Sequence, residues 1–465
     1  GVKMDRYKKL FSNSAIFAIG NLGSKMITFV MVPLYTRYLT TSQYGQSDVL
    51  STIVSLLTPI LTLSIIDAVF RFAIDKASDN RQVLTNGIYI SLISAVICLL
   101  LSPIIARFHY GIYVCVLTYA SAIESMFQQF ARGIGRSKLY ASTGILMTII
   151  TVISNIIMIV LFGWGLNGYL ASMLIAQIGG LLYLLIALKA WRYISFNNIN
   201  KSLAIQMLIY SVPLIPNAVS WWLSNSANKI FIALMIGASA NGIYAVANKI
   251  PSLISVFYTI FTQAWQISAV EEFKSKDVGK FFSTVLSATM SVLFIGVALL
   301  TLLSKILVYI LSTPDYYSAW QIVPWLSLAV LYSCVSSFIG TVYTSSMKTG
   351  QLLSTTMAGA VINVLMNLIM IPVMGVVGAG VGAAVSFAIV SVLRLRESRR
   401  FIYISVNWRL VTASQILILI ELGLMFVFSN LWVGFALATV FLLIVVINVK
   451  PFWPVIQTAV KRFRK

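Results

Sequence analysis

Long apolar runs separated by short polar connections recur along the whole chain. They cover 10–35, 49–70, 83–106, 112–130, 140–162, 166–188, 203–236, 243–267, 281–303, 320–343, 352–373, 376–393, 410–427 and 431–449. Each run is close to or above the roughly 20 helical residues needed to cross a hydrocarbon layer of about 30 Å. Hydrocarbon cannot satisfy the open edge of a strand, so each backbone N–H and C=O has to be paired within its own segment. The pattern predicts an all-α integral membrane protein with about fourteen transmembrane helices.

The runs also repeat. Ser42-Gln43-Tyr44-Gly45 lies between the first and second, and Ser239-Ala240-Asn241-Gly242 between the seventh and eighth. Asn155-Ile156-Ile157-Met158-Ile159 is followed by Gly163 and Gly168, and Asn367-Leu368-Ile369-Met370-Ile371 by Gly375 and Gly380 at the same spacings. Helices one to six thus match helices seven to twelve. An even number of spans per unit makes the repeat parallel, about an axis along the membrane normal. The expected organisation is a cytoplasmic N-terminus (1–9), an N-lobe (10–190), a C-lobe (203–393), helices thirteen and fourteen (410–449) and a basic cytoplasmic tail (450–465). Two pseudo-symmetric six-helix lobes around a central cavity is a transporter build, with its site expected near mid-membrane.

Composition agrees: 59% of the 465 residues are hydrophobic and 10% charged, against about a quarter charged in soluble domains. The net charge of +21 gathers on alternate connections, which places both termini in the cytoplasm and explains the charge without nucleic acid. The inner loops hold Arg71, Lys76 and Arg81, then Arg132, Arg136 and Lys138, and later Arg394, Arg396, Arg399 and Arg400. Most outer connections hold no Lys or Arg; Arg37, Arg107 and Lys305 are the exceptions. Cys98, Cys115 and Cys334 form no metal or redox motif and read as packing residues, and no pattern calls for a cofactor. Gly1, Val2 and Lys3 ahead of Met4 read as an added scar, and the first apolar run, lacking a small-residue cleavage site, as a retained span.

Polar residues inside the runs are the candidate chemistry. Asn21 and Lys25 share a face of the first helix, and a lysine so deep is stable only beside water, a partner or an interface it can reach by snorkelling. The seventh helix carries Asn217, Trp221, Trp222, Ser224, Asn225, Asn228 and Lys229, and the eighth Lys249, Ser252, Thr259, Gln263 and Gln266. Outward snorkelling is the competing reading for Lys229 and Lys249. A cavity lined by Lys25, Lys229 and Lys249 attracts an anion, with Asn21, Asn225, Asn228, Trp222 and Gln263 adding hydrogen bonds and ring contacts. Arg71 and Arg132 form a candidate basic rim, although Asp67 could instead pair with Arg71 four residues on. Glu124 and Asp67 are candidate ion-coupling carboxylates, and Glu421 in the thirteenth helix has no evident partner. Pro213 and Pro216 mark the long seventh helix as the hinge candidate.

The segment 21–45, with Lys25 in mid-helix, Pro33-Leu34-Tyr35-Thr36-Arg37-Tyr38-Leu39 and Tyr44-Gly45, resembles the opening of polysaccharide-biosynthesis membrane proteins. These are the Wzx-type flippases of the multidrug/oligosaccharidyl-lipid/polysaccharide (MOP) exporter superfamily. The resemblance extends through fourteen spans and a doubled six-helix core. It implies a non-enzymatic transporter in a bacterial cytoplasmic membrane that flips an undecaprenyl-pyrophosphate-linked oligosaccharide to the outer leaflet by alternating access. The implied partners are that glycan lipid, the bilayer and polysaccharide assembly proteins. Lys25 matches the basic residue of the family's first helix; lysines in place of the arginines of lipid II flippases leave the glycan head group open. A cation-coupled multidrug exporter of the same superfamily would need cavity carboxylates, which are scarce. A membrane glycan polymerase would need a sizeable outer loop, and none is present.

Overall fold

The computed structural model describes residues 27, 29–75, 78–195, 199–273, 275–346, 349–427 and 431–463. Lys25 and Asn21 lie outside the described residues, as does the side chain of Gln263. The described chain is helical, with no strand among those residues. It divides into two compact units, Gly1–Ser226 and Ala227–Lys465.

The first unit contains α1 (Val32–Tyr38), α2 (Thr41–Leu61), α3 (Ile65–Ile74), α4 (Asn80–Leu100), α5 (Gly111–Gly133), α6 (Ser137–Asn155), α7 (Gly165–Leu188), α8 (Lys201–Ser211) and α9 (Ile215–Asn225). The second contains α10 (Ala227–Met235), α11 (Ala238–Glu272), α12 (Val278–Leu311), α13 (Val323–Ser345), α14 (Thr349–Met374), α15 (Val376–Ser398), α16 (Trp408–Val427) and α17 (Leu431–Phe463). Among the described residues, eleven helices are long and apolar enough to cross a bilayer, or twelve if α2 and α3 form one bent span. The expected fourteen also include 10–35, mostly outside the described residues, and 112–130, which is α5. That helix has the length but carries Glu124, Gln128, Gln129 and Arg132.

Several boundaries differ from the expectation. The tetrapeptide 42–45 is the first turn of α2, not a loop. Thr40 accepts from the Gln43 amide at 3.2 Å and the Gln43 side chain accepts from the Thr40 amide at 3.1 Å, a reciprocal cap that starts the helix early. Its counterpart 239–242 likewise opens α11. The expected second span breaks after Leu61 and bends by 61° before Ile65, with Leu63 and Ser64 in the left-handed region at φ 55° and 51°. The long seventh run is built in pieces: a 3-10 turn at Val212–Leu214 joins α8 to α9. Pro213 accounts for that break, because proline removes an amide donor and crowds the preceding turn.

The two sequence repeats share backbone detail. Gly163 and Gly375, eight residues after Asn155 and Asn367, adopt φ +66° and +61°, a conformation that costs a residue bearing a Cβ about 1–2 kcal/mol. Arg394, expected in an inner loop, is instead a buried residue of α15 at 8% exposure. Its Nε donates to Thr355 Oγ1 at 3.1 Å, Nη1 to the Ser336 carbonyl at 3.0 Å and Nη2 to Thr356 Oγ1 at 2.9 Å. The guanidinium fork thereby ties α15 to α13 and α14.

Candidate functional site

Each unit has its own polar focus. In the second, Asn228 of α10 is buried at 3% exposure. Its Oδ1 accepts from Asn363 Nδ2 at 3.0 Å and Asn367 Nδ2 at 2.6 Å, both on α14, and its Nδ2 donates to the Tyr244 hydroxyl of α11 at 3.2 Å. Three helices are thus joined by a knot of amides. The three amide NH2 groups and Asn228 Oδ1 find partners within this group, which offsets much of the cost of burying them, while Asn367 Oδ1 has no hydrogen-bond partner among the described residues. The first unit has a simpler counterpart: Asn155 donates to the Tyr35 hydroxyl at 2.8 Å, and the Tyr35 ring packs on Tyr44 and Tyr169 at 5.8 and 5.0 Å. The first and fifth helices of one repeat meet as the seventh and eleventh of the other do.

Lys229 follows Asn228 directly and Lys249 lies on the adjacent α11; both are half-buried. Asn225 is exposed, with Nδ2 bonded to the Trp221 carbonyl at 2.8 Å. Trp222 is half-buried, and its indole N–H points at α2, to the Thr52 carbonyl at 2.9 Å and Ser55 Oγ at 3.1 Å. The structure therefore gathers Asn228 with two asparagines that composition did not single out, and engages Trp222 in a tie between α9 and α2. Asn367 was visible as a repeat marker; nothing in its local sequence marked its side chain as a partner of Asn228.

Glu124 of α5 is buried at 3% exposure. One oxygen is 3.5 Å from Ser125 Oγ, and the other has no hydrogen-bond partner among the described residues. A Cβ built on Gly180 of α7 would stand 2.7 Å from Met147 of α6 and 3.4 Å from Glu124 Cγ, so the glycine admits the close approach of Met147, and Glu124 packs beside it. Asp67 and Arg71 on α3 are exposed, as is Arg132. Arg71 and Arg132 come to the same corner: a Cβ on Gly133 would lie 2.7 Å from Ala73 Cβ, and the Arg132 guanidinium sits 4.8 Å over the Phe70 ring. Glu421 of α16 is fully buried, and neither of its oxygens has a hydrogen-bond partner among the described residues. No cluster of metal-ligating side chains occurs among the described residues.

The fold is similar to those of solved exporters of the MOP superfamily. A multidrug-resistance MATE family transporter of that superfamily, inward-facing, superposes at TM-score 0.65 with 14% identity, covering 82% of this chain and 97% of its own. A Vibrio cholerae MATE transporter gives 0.58 with 14% identity, covering 84% and 96%. The lipid II flippase MurJ in an inward closed conformation gives 0.68 with 12% identity, covering 95% of this chain and 99% of its own. Likeness at these identities concerns the fold. The sequence goes further. The model of the polysaccharide biosynthesis protein family matches residues 10–266, and the chain belongs to that family. The Lsg locus putative protein 1 of Haemophilus influenzae is 25% identical over 266 residues, 53% of this chain and 63% of that protein, so the chain aligns with less than two thirds of that relative.

Proposed function

We propose that this protein is a flippase that carries an undecaprenyl-pyrophosphate-linked oligosaccharide from the inner to the outer leaflet of a bacterial cytoplasmic membrane, with both termini inside. The observation that carries the reading is membership of the polysaccharide biosynthesis family on a fold whose likeness to MurJ extends over 95% of the chain, against 82% for the inward-facing MATE transporter. The cationic balance of the candidate residues supports an anionic cargo. Lys25, Lys229 and Lys249 act as point charges on the pyrophosphate, and Asn21, Asn225 and Gln263 as hydrogen-bonding groups for phosphate and sugar. Arg71 and Arg132, brought to one corner of the first unit, gather the anionic head group at the cytoplasmic side. Alternating access moves the head group while the prenyl tail stays in lipid. With the cell interior negative, outward movement of the anion is favoured by about 2.3 kcal/mol per charge per 100 mV. Glu124 is the carboxylate placed to couple a proton or sodium ion, if the potential alone does not suffice.

The test is Lys25→Ala, with Lys229→Ala and Lys249→Ala beside it, in cells that depend on this protein for surface glycan. Glycan export is expected to fall to background while membrane-inserted protein stays at its normal level. Normal export from all three variants would reject the assignment.

A further inference from the structure

The first unit bears an apolar cleft of about 620 Å³, open on one side and walled by α2, α4, the start of α5 and the segment 101–109. It lies at the break of the second span. Leu61, the last residue before the bend, and Leu63, within it, face it together with Leu50, Leu57, Ile97 and Val114. The bend frees the Leu61 carbonyl, and the Ser94 hydroxyl donates to it while lying 2.7 Å from the Tyr119 hydroxyl. Across the α4–α5 seam the Cys98 and Cys115 thiols approach to 3.2 Å. The polar groups of the wall thus mostly face one another, and what fronts the empty volume is hydrocarbon.

Such a space has no use for water, which needs two to four polar partners in a buried site. Left empty, it would forfeit the dispersion contacts of every residue around it. The flanks of the same helices carry exposed apolar side chains, including Leu100 of α4 at 74% and Ile112 of α5 at 53% exposure, as a lipid-facing surface requires. Acyl chains are therefore the immediate surroundings of the cavity. Among the described residues no Lys, Arg, Asp or Glu lines it, and its one imidazole, His109, sits at the 101–109 end with its ring edge-on to Tyr110 at 4.3 Å, so the bulk of the lining offers no group to recognise a phosphate or a sugar. Apolar burial is non-directional, and a rare prenyl carrier gains no preference over the bulk.

We infer that this cavity is a berth for one acyl chain of a bilayer phospholipid, which completes the packing of the first unit beside the bend at Leu63 and Ser64. The inference is independent of the cargo. Because a ligand that binds only the folded state stabilises it by mass action, the stability of the unit depends on lipid.

The experiment uses the full chain in vesicles of phosphatidylethanolamine and phosphatidylglycerol with a trace of phosphatidylcholine bearing a diazirine on one acyl chain. After irradiation, mass spectrometry locates the adducts. Adducts are expected on 50–63, where Leu50 is buried at 8% exposure and so reachable from inside the cavity. Val114→Phe with Ile97→Phe narrows the space beside the bend and should reduce them about twofold, while adducts on the outer flank around Leu100 stay unchanged. Either single substitution is the fallback if the pair does not accumulate. Absence of adducts on 50–63 in the unaltered protein, or adducts indifferent to the narrowing, would overturn the inference. So would their selective loss on adding a small mole fraction of undecaprenyl phosphate, which would make the berth an isoprenoid site.

Discussion

Replacing Asn228 with alanine removes one acceptor that serves two donors and one donor that serves a hydroxyl. The two accepted bonds, 3.0 and 2.6 Å long, come from Asn363 and Asn367, which are 1% and 0% exposed. Asn367 Nδ2 keeps a bond to the Asn363 carbonyl at 2.8 Å, so the loss is partial. Hydrogen bonds between membrane helices are worth about 0.6 kcal/mol on average and up to about 1.7 each. An orphaned buried group costs about 1–3 kcal/mol. Two short accepted bonds and one donated bond then place Asn228→Ala at about 2 kcal/mol of destabilisation, roughly a thirtyfold shift in the unfolding equilibrium. Asn155→Ala is the internal reference, because its amide donates to one side chain, the Tyr35 hydroxyl at 2.8 Å, and should cost about 0.6–1 kcal/mol. Both are measured by denaturant titration in mixed micelles, following tryptophan fluorescence. Equal losses in the two variants, or less than about 0.5 kcal/mol for Asn228→Ala, would refute the reading of the knot as a shared acceptor.

Other outcomes follow from the same geometry. Arg394→Met should change stability by less than about 1 kcal/mol in the same titration, because replacing a buried charge by a well-packed apolar chain is often neutral. Its partners Thr355 and Thr356 keep bonds to helix carbonyls at 2.8–3.2 Å. Gly378→Ala should cost about 1–3 kcal/mol, since its Cβ would stand 2.1 Å from the Met370 carbonyl oxygen. Gly144→Ala, with nothing within 4 Å of the added carbon, should instead be neutral or stabilising in a thermal melt. Trp222→Phe keeps an aromatic ring, though a smaller one, and loses both bonds to α2. A tie predicts a lower midpoint of unfolding with export retained; lost export at unchanged stability would instead support the reading of Trp222 as a substrate-binding residue.

Hydropathy alone determined that this chain is a bundle of membrane helices, the order and spacing of short motifs pointed to a repeat of its two halves, and the segment 21–45 carried the resemblance to the family whose model matches residues 10–266. Those properties are local: a run of apolar residues needs lipid wherever it lies, and a repeated Asn–Gly spacing needs no partner to be read. The side-chain partnerships were not legible, because a helical stripe says which residues share a face and not what that face meets. Asn225 and Asn228 are three residues apart, yet one is exposed and the other is bound by two amides of a helix more than a hundred residues away. Arg394 looked like a loop cation because its neighbours Arg396, Arg399 and Arg400 are charged, while packing against Thr355, Thr356 and Ser336 drew it inside. The break at Thr62–Ser64 is equally tertiary. Two residues that bear a Cβ hold a left-handed backbone there, and the serine that takes the freed carbonyl comes from another helix. Only the assembled bundle supplies the donors and the space that make such a conformation stable.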